Sequence, residues 1–141
     1  MNKATILDNI AAIMDNIDSL SEKGLVLFKN GLHDEANECH DERTKRYDEA
    51  LKYCDEAIKL KPDEAIIYNN RGRIKEEYLD NFEDALKDIN KAIELSPNEV
   101  VFYKNCIDVY KFLNDYESAR KMEERKRTIF NSPYIEKKNC V

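Results

Sequence analysis

The sequence predicts an all-α fold, an α-solenoid of antiparallel helix pairs, and three observations predict it. Charged residues make up 37% of the 141 positions while glycine and proline number three each, a balance that suits amphipathic helices better than the turn-rich strands of sandwiches and barrels. Residues 47–62 read YDEALKYCDEAIKLKP and residues 82–97 read FEDALKDINKAIELSP, one phrase written twice. Pro97 follows Pro62 by 35 positions and Ala85 follows Ala50 by the same 35, a period typical of stacked helix-turn-helix units. The length fits one compact domain or a short array and leaves no room for two large domains.

The elements follow in order. Ile6, Ile10, Ile13, Ile17 and Leu20 recur at helical spacing, so residues 1–17 are read as an extra N-terminal helix whose apolar stripe must pack on something. A cap over the first repeat is one reading, a dimerisation seam the other, since end repeats of such arrays need covering. Asp8, Asp15 and Asp18 interrupt the stripe, which excludes the apolar core of a signal peptide.

Residues 18–62 form the first repeat. Gly24 precedes Ala50 by 26 positions, whereas Gly72 precedes Ala85 by 13, so an insertion of 13 residues sits near 29–46. A loop or a lengthening of both helices accounts for it, and its alanine and charged residues favour lengthening. Residues 63–97 are the second repeat and 98–131 the third. In the third, Tyr116, Glu117, Ala119 and Arg120 stand 34 after Phe82, Glu83, Ala85 and Leu86, and Cys106 stands 34 after Gly72. The turns fall at Leu79–Phe82 and Leu113–Tyr116. Ala50 with Ala57, and Ala85 with Ala92, are seven apart and let a neighbouring helix approach closely. Pro62 and Pro97 lack the amide hydrogen a continuing helix needs. Met122, Ile129 and Phe130 have no further helix to shield them, which suggests truncation, self-association or a tail, 132–141, folding back through Pro133, Tyr134 and Ile135.

Tyr68, Gly72, Phe82, Ala85, Ala92 and Pro97 in the second repeat, with Tyr47, Ala50, Ala57 and Pro62 in the first, resemble the tetratricopeptide-repeat family over about three repeats. The resemblance implies a right-handed solenoid whose concave groove, lined by the first helix of each pair, holds a peptide or a partner helix. On that placement the groove takes Leu25 and Lys29 (with Glu22) from the first unit, Asn69, Asn70, Arg73 and Glu77 from the second, and Tyr103, Lys104, Ile107 and Lys111 from the third. Asparagine pairs with a peptide backbone through donor and acceptor together, and Lys and Arg attract carboxylates. One co-chaperone branch of the family grips carboxylate-ended chaperone tails with a clamp of Lys, Asn and Arg. Asn70 keeps its place in that clamp, but Ser21, Leu25 and Val100 replace other members and Lys104 stands for an Arg, so the clamp is mostly absent.

Other chemistry finds little footing. A formal charge of −6 and a pI near 5.1 lack the cationic surplus that nucleic acid or anionic membrane draws on, and Arg120, Lys121, Arg125, Lys126 and Arg127 are interspersed with Glu123 and Glu124 for pairing along a helix. No apolar run is long enough to span a membrane. Cys39, Cys54, Cys106 and Cys140 are scattered, which suits free thiols and a cytoplasmic location. His33 and His40, seven apart beside Cys39, need Glu38 or Asp41 to complete a metal set, and polar insertion residues explain them more simply. No phosphate-binding glycine loop or nucleophile context occurs, so neither catalysis nor a cofactor is expected. The sequence therefore predicts a protein-binding adaptor. The alternatives are a self-associating helical protein using its apolar ends and a co-chaperone holding a chaperone tail.

Overall fold

A computed structural model describes residues 3–131, without the side chains of Lys3, Ala4 and Ile6. The expectations for Ile6, Cys140 and the tail through Pro133, Tyr134 and Ile135 lie outside the described residues. Among the described residues six helices follow one another: α1 (Lys3–Lys29), α2 (His33–Leu60), α3 (Ala65–Glu77), α4 (Phe82–Leu95), α5 (Val100–Phe112) and α6 (Tyr116–Phe130). There is no strand among the described residues, and the all-α class of helix pairs is the one observed. The chain divides into two compact units, Met1–Pro62 and Asp63–Val141.

In the first unit α1 packs against α2. Residues 3–17, expected as an extra N-terminal helix, are helical but form one unbroken helix with the first helix of the pair, α1. Ile10, Ile13, Met14 and Ile17 are buried, as their three-and-four spacing requires. The insertion is taken up as helix, so α1 and α2 run to 27 and 28 residues against 13 to 15 in the later helices. Between them Gly31 turns the chain at φ 78°, a left-handed conformation open to glycine without penalty. The Gly31 amide donates to Phe28 O and the Leu32 amide to Leu27 O, the paired bonds that close a helix C-terminus.

In the second unit α3 packs on α4, α4 on α5 and α5 on α6. Gly72 faces α4 at closest approach: a Cβ there would lie 2.8 Å from Ile89 Cγ1 and 2.9 Å from the Ala85 carbonyl oxygen. Ala85, Ile89, Ala92 and Ile93 form the apolar seam of α4, all buried. Both turns repeat one design. Asp80 (φ 50°) and Asn114 (φ 59°) take the left-handed conformation that Asn and Asp tolerate better than other side chains. The next residue caps the following helix: Asn81 Oδ1 accepts from the Asp84 amide at 3.3 Å and Asp115 Oδ1 from the Ser118 amide at 3.1 Å. The bonds from Ser118 hold the Asp115 carboxyl below its ordinary range.

Candidate functional site

The second unit brings α3 and α5 side by side. Asn105 Nδ2 donates to Asn69 Oδ1 across them at 2.9 Å, and Glu76 on α3 lies close enough to Asp108 on α5 to feel its charge. Three-and-four spacing places Asn70, Arg73 and Glu77 along one side of α3, and seven-residue spacing aligns Lys104 with Lys111 on α5. Asn70 and Arg73 are half-buried while Glu77, Lys104 and Lys111 are exposed. Arg73 pairs with Glu77 at 3.3 Å. Among the described residues neither Lys104 nor Lys111 has a carboxylate within ion-pair distance.

Three of the residues expected on the groove face belong to the core instead. Asn69 is 2% exposed and spends its amide on Asn105. Tyr103 is wholly buried, donates its hydroxyl to Pro97 O at 2.9 Å, and sits edge-on to Phe130 with the Arg125 guanidinium 5.7 Å from its ring centre. Ile107 is buried between the two lysine positions. Each lies one or more positions round the helix from an accessible neighbour, so packing rather than recognition claims it. Leu25 and Lys29 are exposed on the last turns of α1, in the first unit.

Electrostatics beneath this face rest on residues the sequence reading passed over. Arg71 grips Asp88 with two bonds of 2.8 Å, and Lys75 Nζ reaches the same carboxylate at 2.9 Å. Asp88 is only 5% exposed, so one acid on α4 fixes two cations of α3 and sets that helix's rotation. The signal was present: Asp88 stands on the apolar side of α4, directly before Ile89, and Arg71 and Lys75 are one turn apart. Glu76 is different. Burial, then Glu77 and Asp108, push its carboxyl upward, and Arg73 only partly offsets them. At the start of the two helices a cleft of about 370 Å3 opens among Ile66, Val101, Leu95 and Phe102, rimmed by Asp63, Glu64 and Glu99. The face thus runs from exposed valine and isoleucine to free lysine.

No metal set forms. Among the described residues no three His, Cys, Asp or Glu side chains converge. Cys39 is buried, His33 meets the Phe28 ring edge-on at 4.8 Å, and His40 Nδ1 accepts from Arg43 at 3.2 Å. Burial pushes the Cys106 thiol up to about 12, against a smaller opposing pull from Arg125, which leaves it a packing residue and no nucleophile. None of the described helices is long and apolar enough to cross a membrane.

A profile of the tetratricopeptide repeat matches residues 42–64 and 65–99. No curated protein sequence matches the chain. Among solved structures, the TPR2B domain of yeast Sti1, in a structure described as its pHsp70 complex, is 26% identical with a TM-score of 0.56, covering 82% of this chain and 80% of that one. The Arabidopsis OM64 TPR domain is 24% identical with a TM-score of 0.55, covering 83% and 84%. MamA residues 41 to the end from Desulfovibrio magneticus is 17% identical with a TM-score of 0.58, covering 83% and 77%. The last two are likenesses of fold.

Proposed function

We propose, from the premise that this chain is a tetratricopeptide-repeat protein, that it is a non-catalytic adaptor whose partner peptide or helix lies along the shared face of α3 and α5. The observation that carries the reading is the pairing of rigid support with unspent chemistry. Asn69, Tyr103 and Ile107 are locked in the core, so the helices present Asn70, Arg73, Lys104 and Lys111 with little ordering left to do on binding. Asn70 suits a peptide backbone, and Lys104 and Lys111 suit carboxylates of the partner. The likeness to a Sti1 domain described as its pHsp70 complex supports the same class of activity.

A chaperone tail is the narrower alternative within this class, carried only by Asn70 and Lys104. Self-association through the N-terminal stripe loses its main support, because Ile10, Ile13 and Ile17 are buried within the single chain. Affinity capture with the wild type beside an Asn70→Ala, Arg73→Ala, Lys104→Ala variant tests the proposal. A partner held by the wild type and lost by a normally folded variant supports it, whereas identical capture lists overturn it.

A further inference from the structure

The second unit carries apolar surface on the turns that close its two helix pairs. Leu79, Phe112, Leu113 and Tyr116 are 37% to 70% exposed, and the Phe112 ring stacks on that of Phe82 with centroids 5.2 Å apart and planes at 27°. That stack joins the α3–α4 turn to the α5–α6 turn, so the exposed side chains share one edge of the unit. Left-handed Asp80 and Asn114 and the caps at Asn81 and Asp115 fix both turns, and Tyr116 donates its hydroxyl to Asn114 Oδ1 at 3.2 Å. The charge on this edge has one sign. Residues 79–84 and 112–117 hold five carboxylates, Asp80, Glu83, Asp84, Asp115 and Glu117, and no Lys, Arg or His. Asp84 pairs with Lys87 at 3.7 Å and Glu117 with Lys121 at 3.4 Å, exposed pairs of little energetic weight. Among the described residues Asp80 and Glu83 have no cation within ion-pair distance. Lys111 lies about 100° round α5 from Phe112, on the side of Lys104.

Apolar residues scattered singly over a surface need no explanation, whereas exposed rings and leucines gathered on one edge mark a contact surface. What surrounds them states the chemistry of the partner. A guanidinium is attracted to the face of an aromatic ring and forms paired bonds with a carboxylate, and here exposed rings and carboxylates stand on the same two turns. We propose that this edge docks an arginine-bearing apolar segment of a partner protein, its arginine laid on the Phe112 or Tyr116 ring and bonded to a turn carboxylate, its apolar neighbours set against Leu79 and Leu113. The partner charge read here is opposite to the one that Lys104 and Lys111 attract. The inference therefore does not rest on a partner lying along α3 and α5.

The test is a selection of phage-displayed random peptides on the full chain carrying Asn70→Ala, Arg73→Ala and Lys104→Ala, which disables the α3–α5 face and leaves both turns untouched. The expected binders place Arg beside apolar residues and weaken when Lys replaces that Arg. They lose about tenfold or more in affinity to Phe112→Ser, to Tyr116→Ser, and to the joint exchange Asp80→Asn, Glu83→Gln, Glu117→Gln. Phe112 and Tyr116 are exposed and Asn tolerates the left-handed conformation of Asp80, so these variants keep the fold, which circular dichroism checks. Binders that follow positive charge alone and ignore both rings, a consensus rich in Asp and Glu, or no binder at all overturns the proposal. So does sedimentation of the chain as a dimer that Phe112→Ser dissolves, since a second copy then covers the edge.

Discussion

The same substitution at two glycines, Gly72→Ala and Gly24→Ala, is expected to act in opposite directions. Both sit inside helices, where alanine is intrinsically better than glycine by about 0.5–1 kcal/mol. At Gly72 the new methyl would lie 2.8 Å from Ile89 Cγ1, 2.9 Å from the Ala85 carbonyl oxygen and 3.3 Å from Asp88 Cβ. A carbonyl oxygen of a packed helix cannot swing aside as a side-chain tip can, so α3 must move off α4 and disturb Asp88 and its two cations. Overpacking of this kind costs about 1–3 kcal/mol, and after the propensity gain a net loss of about 1–2 kcal/mol remains, or a Tm lowered by about 5–10 °C for a unit of this size. At Gly24 the nearest atom stands at 3.4 Å, an ordinary contact, and the propensity gain survives as a rise of about 0.5 kcal/mol. Scanning calorimetry and urea titration of the three proteins read both signs. A Gly72→Ala chain as stable as the wild type, or a Gly24→Ala chain as damaged as it, would refute the packing argument.

Three further outcomes follow from the interior. Asp88→Ala leaves Arg71 and Lys75 facing an apolar seam and should cost about 3 kcal/mol, the low end for breaking a buried ion pair because each cation is about a fifth exposed and can turn to water; an unchanged urea midpoint removes Asp88 as the organiser of α3. The Glu76 carboxyl is raised above its ordinary 4.5 in the fold, so its ionised form subtracts from stability at neutral pH and the loss fades as pH falls through the raised value. Glu76→Gln should therefore raise the urea midpoint at neutral pH, with the advantage closing below pH 4.5; an advantage that widens in acid gives the wrong sign. With its thiol held near 12 and no exposure, Cys106 should resist iodoacetamide in the native chain and react only after unfolding, as peptide mass spectrometry reads. Labelling of the native chain at the rate of a free thiol contradicts its burial.

Much of the fold was legible in the sequence because local chemistry fixed it. The repeated alanines report helix contacts, Pro62 and Pro97 report helix ends, and the turns at Leu79–Phe82 and Leu113–Tyr116 report the joint within each pair. The insertion near 29–46 divided between loop and helix on composition, and long helices formed because its residues keep the α1–α2 seam running past Gly24, Ala36 and Cys39. The face of α3 and α5 was legible only to within about one residue of rotation. Successive residues on a helix differ by about 100°, so Asn69 and Asn70, or Tyr103 and Lys104, fall on opposite sides of the boundary between core and solvent. Where that boundary runs depends on how far each helix is turned, and the Arg71–Asp88–Lys75 cluster and the Asn69–Asn105 bond set that turn through pairs 17, 13 and 36 residues apart. No local pattern encodes such pairs.

The central claim, that a partner lies along α3 and α5, is tested most directly by a photo-crosslinking residue placed in turn at Lys104 and at Lys87, whose side chain is 81% exposed on α4, in the full chain within a lysate. Crosslinking of a partner from position 104, absent from position 87 and diminished by the Asn70→Ala exchange, is the predicted result. Equal crosslinking from both positions, or crosslinking from position 87 alone, would contradict it.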